Sequence, residues 1–415
     1  MTARYLARMT TLAERPFEAR TDRTLAMLRE SGQLKHLQTI EGTMGATVRL
    51  RGYGEVACFC SNNYLGLADH PEVVEAGVAG LRRYGAGTAS VRFICGTFEC
   101  HEALERRIAE FYGCEAAYTF TSCWNANEAI FPTLCEPGDL IISDELNHAS
   151  IIDGIRLAAV IKKGCHKGVF RHADVADLRA KLAAARANPD VTGAIWVVTD
   201  GVFSMEGDIG DLPALRAACD EFGALLVVDD SHGTGVMGRT GRGTHEHWGM
   251  AGTAVDYFTG TLGKSLGGAA GGYVVGSRKA VDLLVQRGRP TLFSNALPAT
   301  VACSAEKAIE VLMREPQRVQ RLRDNVAYAR RVIREAGFEV LESPTAICPI
   351  IVHDTAKAIA MSKRLLELGV FVIGFGYPVV PEGHARLRCQ VSAAHERSHL
   401  DAFGAALRQL RREFP

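Results

Sequence analysis

The sequence lacks an excess of charge, long apolar runs and low-complexity tracts. Its 47 lysine and arginine residues equal its 47 aspartate and glutamate residues, so no broad field gathers nucleic acid or anionic membrane lipid. No segment approaches the roughly 18 consecutive apolar residues of a membrane span. Residues 1–32 mix charged and apolar residues at helical spacing, without the apolar core of a secretory signal. These absences predict a soluble, cytoplasmic protein with no nucleic-acid or membrane partner.

The sequence also lacks the cysteine spacing of a metal site or a disulfide framework. Its 12 cysteines are spread from Cys58 to Cys389, and in a chain without a secretory signal they are expected to be reduced thiols. The one close pair, Cys58 and Cys60, has no further ligands at zinc-binding spacing. We therefore predict no metal.

Two phosphate-binding motifs are incomplete. Residues 263–265 end like a P-loop, but Phe258 stands where that motif needs its first glycine. Residues 85–90 begin like a dinucleotide-binding fingerprint and lack its third glycine. A nucleotide-binding or regulatory module without catalysis remains an alternative only because a fold does not determine chemistry.

Short apolar runs alternate with helix-length amphipathic stretches through the middle of the chain. This alternation is typical of a mainly parallel sheet covered by helices. The clearest apolar runs lie at 140–143, 194–199, 225–228 and 273–275, with helical patterns at 174–187 and 212–222. The central region is therefore predicted to be α/β.

The C-terminal part has the pattern of a smaller α+β unit. A long helical pattern contains Pro316, which should break or bend the helix. Strand-like runs follow at 347–352 and 370–375, and a final amphipathic helix starts near Glu396. The predicted organisation is an N-terminal helical and strand segment (1–57), a large α/β domain (58–298) and a small C-terminal α+β domain (299–415).

An acidic residue and a histidine stand at the end of one predicted strand. The apolar run 225–228 leads to Asp229, and His232 follows. Ligands in open α/β sheets bind at the carboxyl ends of strands, so a site is expected there. Lys264 stands among small residues after a further strand. Its amine can form a Schiff base with an aldehyde cofactor, although an exposed loop position is commoner for lysine.

Three further segments are candidates for binding an anion or a flat ring. Residues 121–127 lead from a strand-like run into a helix, whose first N–H groups would bind an anion or simply be capped. His148 could stack on a flat cofactor or cap a helix. Arg386 and Arg388 alternate along a predicted strand, and a guanidinium there suits a substrate carboxylate, with surface pairing as the alternative.

A series of ordered segments resembles the α-oxoamine synthases, a family of fold-type I pyridoxal-phosphate enzymes. The segments are SNNYLGL (61–67), ASVRFICGT (89–97), NHASIIDG (147–154), TDGVFSM (199–205), DDSH (229–232), GTLGK (260–264), LFSN (292–295) and YPVVP (377–381). The resemblance extends from Cys58 to Arg411. It implies an aspartate aminotransferase-like fold with a mainly parallel central sheet.

The resemblance implies pyridoxal 5′-phosphate (PLP) as the cofactor, bound to Lys264 as a Schiff base. It implies a catalytic set of Lys264, His148, Asp229 and His232, in which Asp229 pairs with the pyridine nitrogen and His148 stacks on the ring. His232 and Ser204 are implied at the ring hydroxyl. The residues implied at the phosphate are Ser122, Cys123, Trp124, Thr261 and, from a second subunit, Ser294. Those implied at the substrate carboxylate are Asn62 and Arg388.

The implied reaction condenses glycine with acetyl-CoA to give 2-amino-3-ketobutyrate and CoA, or cleaves that ketoacid during threonine catabolism, in a homodimer with shared active sites. Three features depart from the pattern for that reaction: the run 232–236, Trp124, and Gly376 in place of an aromatic residue. Gly376 is expected near the acyl chain, where a small residue would admit a larger acyl group. Another α-oxoamine synthase reaction, with a different amino acid or a longer acyl thioester, is therefore the alternative.

Overall fold

The computed structural model describes residues 16–377 and 379–415. The first half of the predicted N-terminal helical pattern, residues 1–15, and Pro378 of the segment 377–381 lie outside the described residues. Among the residues that the structure describes, no helix is both long enough and apolar enough to cross a bilayer.

The strands, numbered along the chain, are β1 (Thr47–Leu50), β2 (Gly54–Cys58), β3 (Ala116–Phe120), β4 (Leu140–Asp144), β5 (His166–Phe170), β6 (Ile195–Asp200), β7 (Leu225–Asp229), β8 (Tyr257–Thr261), β9 (Gly272–Gly276), β10 (Ile347–His353), β11 (Val370–Phe371), β12 (Ile373–Phe375) and β13 (Ala385–Gln390).

The α-helices are α1 (Pro16–Glu30), α2 (Pro71–Tyr84), α3 (Glu99–Tyr112), α4 (Cys123–Leu134), α5 (Ala149–Ile161), α6 (Val175–Ala187), α7 (Leu212–Phe222), α8 (Thr244–His247), α9 (Arg278–Arg287), α10 (Arg289–Phe293), α11 (Ala299–Arg314), α12 (Gln317–Glu335), α13 (Thr355–Glu367) and α14 (Arg397–Glu413). A short π-helical turn spans Arg92–Gly96, and a 3₁₀ turn spans Gly252–Ala254.

A seven-stranded sheet of order β3-β9-β8-β7-β6-β4-β5 forms the centre of the large domain. Within it β9 runs antiparallel to both of its neighbours, while β8, β7, β6, β4 and β5 pair in parallel. Alternate residues of a strand face opposite sides of a sheet, and Val197 and Val198 accordingly belong to two different apolar clusters. The predicted mainly parallel central sheet is confirmed.

The helical patterns predicted at 174–187 and 212–222 are present as α6 and α7. Asp174 and Asp211 cap the first turns of α6 and α7 by accepting backbone N–H groups. Gly223 ends α7 in the left-handed conformation, with a φ of 61°. The predicted break at Pro316 is also present, because α11 ends before this proline and α12 begins after it.

The predicted strand 370–375 is divided between two sheets. Val370 and Phe371 pair in parallel with β2, whereas β12 pairs with β13 in an antiparallel sheet of order β10-β13-β12. The N-terminal strands β1 and β2 thereby join a sheet with part of the C-terminal unit. One continuous apolar cluster includes Val228 of the large sheet and Leu387 and Phe403 of the C-terminal part, so the two parts pack against each other.

Candidate active site

The carboxyl ends of the parallel strands meet around one cavity of about 240 Å³. Asp200, Asp229 and Thr261 are the last residues of β6, β7 and β8. The residues that line the cavity are Cys123, Trp124, His148, Ser150, Asp200, Val202, Ser204, Asp229, Ser231, His232, Thr261 and Lys264. The position agrees with the expectation that ligands of open α/β sheets bind at strand ends.

Eight of the predicted site residues line this cavity: Cys123, Trp124, His148, Ser204, Asp229, His232, Thr261 and Lys264. Four predicted residues lie outside its lining: Asn62, Ser122, Ser294 and Arg388. Ser294 lines a separate small hollow together with Thr121 and Asn125. The central predicted residues therefore share one cavity, and the roles of all twelve stay predictions.

Lys264 follows β8 and is partly buried. Burial lowers the pKa of its amine to about 8, although the nearby Asp229 opposes this change. About one-tenth of such an amine is unprotonated at pH 7, far more than for an ordinary lysine. The position is therefore that of a reactive amine and not of an exposed loop lysine.

Asp229 is buried and held by donors on both carboxylate oxygens. Oδ1 accepts the backbone N–H of Ser231 at 3.0 Å, and Oδ2 accepts Nδ2 of Asn127 at 2.8 Å. The thiol of Cys123 lies 3.6 Å from Oδ2. These contacts fix the orientation of the carboxylate at the end of β7.

His148 caps α5 and lines the cavity, so both of its predicted roles are compatible. Its Nδ1 lies 2.8 Å from Oγ of Ser150 and accepts the Ser150 backbone N–H at 3.3 Å. Its own backbone N–H donates to Asp200 Oδ2 at 3.1 Å. Burial lowers the pKa of the imidazole, and the ring meets Trp124 edge-on at 6.1 Å.

His232 is buried on another side of the cavity. Burial lowers the pKa of its imidazole well below the usual value, and the nearby Lys264 lowers it further. The hydroxyl of Tyr64 lies 2.9 Å from Nδ1 of His232 and accepts Nε2 of Gln390 at 2.9 Å. Gln390 also donates to Oδ1 of Asn62, which connects this predicted substrate residue to the wall of the site.

The first turn of α4 approaches the sheet very closely. Ser122 caps it by accepting the backbone N–H of Asn125 at 3.1 Å. A Cβ added at Gly272 would collide with the backbone N and Cα of Cys123, so only glycine lets the helix start lie against β9. Thr261 accepts the backbone N–H of Gly263 at 3.0 Å. The helix start and Thr261 together present small polar groups that suit an anion.

Arg386 and Arg388 both point from β13 to the loop that follows β6. Arg386 Nη1 lies 3.1 Å from Glu206 Oε1 and donates to the Met205 carbonyl at 2.9 Å. Arg388 Nε donates to the carbonyl of Ser204 at 2.6 Å. Nη2 of Arg388 is buried without a hydrogen-bond partner among the described residues. An unpaired buried guanidinium nitrogen is suited to an incoming carboxylate.

Sequence reasoning missed Asn127, Ser150, Asp200 and Ser231. Asp200 and Ser231 stand at strand ends, inside segments that carry the family resemblance. This position in the sequence could have identified them as residues of the site. Burial raises the pKa of the Asp200 carboxyl well above its usual range, and the charge of Asp229 adds to this effect. Asn127 lies in the candidate segment 121–127 and Ser150 in the segment 147–154, but their contact with each other was not predictable, because it joins two different helices.

The need for glycine at position 376 is explained by packing, without any contact to a ligand. A Cβ at this position would collide with the side chain of Thr355, the first residue of α13. Gly376 is also absent from the residues that line the cavity. The expectation that its small size enlarges the acyl site stays a prediction, and the structure does not support it.

The comparisons with known proteins agree with this geometry. The family model for aminotransferase class I and II matches residues 55–407. Mitochondrial 2-amino-3-ketobutyrate coenzyme A ligase of Homo sapiens is 45% identical over 375 residues, which cover 90% of this chain and 87% of that protein. The 8-amino-7-oxononanoate synthase of Alkaliphilus oremlandii is 43% identical over 374 residues, which cover 90% and 92%.

Solved structures show the same fold. Serine palmitoyltransferase of Sphingomonas wittichii matches with a TM-score of 0.87 and 30% identity, over 96% of this chain and 97% of that one. A structure of SPT with a PLP internal aldimine matches with a TM-score of 0.88 and 30% identity, over 95% and 97%. These matches argue against a regulatory module without catalysis. The chain belongs to the class I and II aminotransferase family and is a pyridoxal-phosphate-dependent acyltransferase of the α-oxoamine synthase group.

Proposed function

We propose that this enzyme is a glycine C-acetyltransferase, also called 2-amino-3-ketobutyrate coenzyme A ligase, which joins glycine and acetyl-CoA to give 2-amino-3-ketobutyrate and CoA. The observation that carries the proposal is the arrangement of Lys264, Asp229 and His148 around one cavity. The mammalian and bacterial relatives that bear this name support the choice of substrates. In the reverse direction the same reaction would serve threonine catabolism.

The residues around the cavity fit PLP. The Lys264 amine, with its lowered pKa, would hold the aldehyde carbon. Asp229 would accept a hydrogen bond from the pyridine N–H and keep this nitrogen protonated. His148 would lie against the ring, and His232 and Ser204 would approach the ring hydroxyl. The phosphate would be held by Ser122, Cys123, Trp124, Thr261 and Ser294 of a second subunit.

Bound PLP supplies an electron sink that stabilises negative charge on the Cα of the amino acid. Once the amino group of glycine has replaced it at the aldehyde carbon, the freed Lys264 would be the group placed to take the proton from this Cα, because burial keeps part of its amine unprotonated near neutral pH. The Cα then attacks the thioester carbonyl carbon of acetyl-CoA. The C–S bond breaks, CoA leaves as the thiol, and the amino ketoacid is the product.

Arg388 and Asn62 are proposed to bind the carboxylate of the amino acid. Arg388 Nε is occupied by the Ser204 carbonyl, which leaves the unpaired Nη2 for the substrate. Asn62 is oriented by Gln390, the residue that also contacts Tyr64. A carboxylate held at these groups would keep the Cα–H bond in a fixed direction relative to Lys264.

A homodimer is proposed to complete the site. Ser294 lies outside the cavity of its own chain. This position is compatible with a contribution of Ser294 to the active site of a second copy. An apolar patch is formed by Phe93, Ile94, Trp124 and Phe293, which are 58%, 68%, 40% and 75% exposed. The turn Arg92–Gly96 and α4 both adjoin α10, and exposed apolar patches mark interfaces. We expect the dimer in the cytoplasm.

A second candidate is another α-oxoamine synthase reaction. The similar identity to an 8-amino-7-oxononanoate synthase, 43% against 45% for the human ligase, favours it, as does the run 232–236. In this case the amino acid or the acyl thioester would differ, while Lys264 and Asp229 would keep their roles.

The decisive experiment is a CoA release assay over a matrix of donors. Glycine, alanine, serine and glutamate are each combined with acetyl-CoA and with longer acyl thioesters. The proposed function predicts the highest kcat/KM for glycine with acetyl-CoA. Faster turnover with alanine or with a long-chain thioester would establish the second candidate instead.

A further inference from the structure

Two buried polar side chains connect His148 to Asp229. Asn127 on α4 and Ser150 on α5 are each 1% exposed. Ser150 Oγ lies 2.8 Å from His148 Nδ1. Asn127 Nδ2 lies 2.9 Å from Ser150 Oγ and 2.8 Å from Asp229 Oδ2. The four side chains therefore form an unbroken series of hydrogen bonds.

The direction of the hydrogen bonds made by Asn127 follows from Asp229. A carboxylate only accepts, so the amide group of Asn127 must turn its nitrogen toward Asp229. The same nitrogen has a second hydrogen, which it donates to Ser150 Oγ. The serine oxygen thus accepts from Asn127, and the direction of its contact with His148 Nδ1 is set by the other group at that nitrogen.

His148 Nδ1 acts as an acceptor, because it caps α5 by accepting the backbone N–H of Ser150, and the Ser150 hydroxyl must then donate to it as well. The backbone N–H of Ser150 approaches the same nitrogen at 3.3 Å, so two donors converge on it. Burial lowers the pKa of His148, which favours the neutral imidazole. A neutral imidazole whose Nδ1 accepts must carry its hydrogen on Nε2.

We propose that Asn127 and Ser150 are positioning residues, which form a hydrogen-bond relay from Asp229 and hold His148 as the Nε2–H tautomer. The relay joins α4, α5 and the end of β7, and each of these elements also contributes a residue to the cavity. The amide of Asn127 donates both to Asp229 and to Ser150, which contacts His148. The ring of His148 is therefore kept at a fixed position relative to the carboxylate of Asp229. The tautomer follows from the geometry, whereas the effect on turnover rests on the proposed function.

Nitrogen NMR tests the tautomer directly. The full-length protein with its cofactor is labelled with ¹⁵N-histidine, and long-range nitrogen–proton correlations are recorded at neutral pH. The spectrum of a His148→Gln variant identifies the His148 signals among those of the 13 histidines. We expect a protonated Nε2 and an unprotonated Nδ1. A hydrogen on Nδ1, alone or on both nitrogens, would overturn the relay without recourse to any variant.

Substitution of Ser150 tests the positioning role. Ser150→Ala removes the hydroxyl and leaves the backbone N–H, so part of the His148 population is expected to move its hydrogen to Nδ1. The kcat of CoA release should fall about tenfold, the equivalent of one hydrogen bond, with little change in KM. Ser150→Thr keeps the hydroxyl and should restore both the tautomer and kcat.

Ser304→Ala is the matched control, since Ser304 donates to the Val73 carbonyl at 3.1 Å, away from the cavity. It should change neither readout. An unchanged tautomer and an unchanged kcat in Ser150→Ala would overturn the proposal. A wild-type protein that has the expected tautomer and yet releases no CoA from any acyl thioester would refute the proposed function while supporting the relay.

Discussion

The reactivity of Lys264 can be measured by chemical trapping. Borohydride treatment of the holoprotein should fix PLP covalently to the peptide that contains Lys264, because this amine is the one placed to bind the aldehyde. The Lys264→Ala variant should show no such label, and kcat for CoA release should fall by more than about 10³-fold. Mass spectrometry of the digested protein locates the label. Lys279→Ala, at an exposed lysine of α9, should behave like the wild type, and a label on another peptide would contradict the assignment.

The unpaired nitrogen of Arg388 gives a second prediction for a single residue. Arg388→Lys keeps the charge but loses the guanidinium fork, so KM for the amino acid should rise about 100-fold. KM for the acyl thioester should stay unchanged. Arg386→Lys is the control, because Arg386 is already occupied by Glu206 and Met205 and should change KM for the amino acid less. Initial rates at varied amino-acid and thioester concentrations separate the two effects, and equal effects of both variants would argue against a special role of Arg388.

Residue types at strand ends were predictable, whereas contacts between elements were not. Asp229, His232 and Lys264 follow apolar strands, so the sequence alone placed them at one edge of the sheet. Asn127 and Ser150 lie inside or next to helical patterns and meet only because α4 and α5 pack together. The contact of Gly376 with Thr355 likewise joins distant parts of the chain and left no local signal.

Among the elements, the loop after β6 is held by an ion-pair bridge at His172. Nδ1 of His172 lies 3.0 Å from Asp144 and Nε2 lies 2.7 Å from Asp208, while the ring packs edge-on against Phe203. Burial opposes the charged imidazole, but the two carboxylates raise the pKa of His172 to about 10. The same loop carries Ser204, so His172 links the end of β4 to one wall of the cavity.

This bridge predicts a pH-dependent contribution to stability. The folded-state pKa of His172 lies above its usual value of about 6.5, so its contribution is complete below that pH and is lost as pH rises through about 10. His172→Gln should lower the free energy of unfolding by about 2 kcal/mol near neutral pH. Denaturant unfolding at several pH values measures this difference, which should shrink toward pH 10. His36→Gln, at an exposed histidine, should not change the free energy of unfolding. A destabilisation by His172→Gln that does not depend on pH would contradict the ion-pair account.

The close approach of α4 to β9 predicts a further effect at the scale of the elements. Gly272→Ala places a methyl group against the backbone of Cys123, so the helix start must shift away from the sheet. The free energy of unfolding should fall by about 1–3 kcal/mol, and the affinity for PLP should fall with it. Thermal unfolding and cofactor titration measure the two effects. Gly87→Ala is the control, because an added Cβ there meets nothing within 4 Å. Wild-type affinity in Gly272→Ala would show that this contact does not shape the site.

At the scale of the whole molecule, the apolar patch predicts an oligomer. Phe293→Glu places a charge at the most exposed residue of this patch and should convert the proposed dimer into a monomer. Loss of the second subunit should also weaken PLP binding, because Ser294, the residue after Phe293, is proposed to hold the phosphate in the site of the partner. Light scattering and cofactor titration provide the two measurements. Val169→Glu, at an exposed position on the edge strand β5, should leave the dimer intact, and a dimeric Phe293→Glu variant would remove the patch from the interface.

The overall organisation was predictable except where strands change sheets. We propose the division into an N-terminal segment (1–57), a large domain (58–298) and a small domain (299–415), with the first part packed on the third. The run 370–375 is uniformly apolar, so periodicity predicted a single strand. Its division at Val372 depends on which partner strand lies alongside, β2 or β13, and pairing over such sequence distances leaves no local signal.

The pairing of β2 with β11 constrains how shortened versions of the chain can be prepared. Ala57 donates its amide to the Gly369 carbonyl and Phe59 donates to the Phe371 carbonyl, both at 2.9 Å. Side chains from β1 and β2 also cover Leu366 of the C-terminal part. A recombinant fragment that starts at residue 299 would therefore expose an open strand edge and an uncovered apolar surface. Such a fragment should stay in solution only when residues 40–60 are supplied with it, either fused or as a complementing peptide.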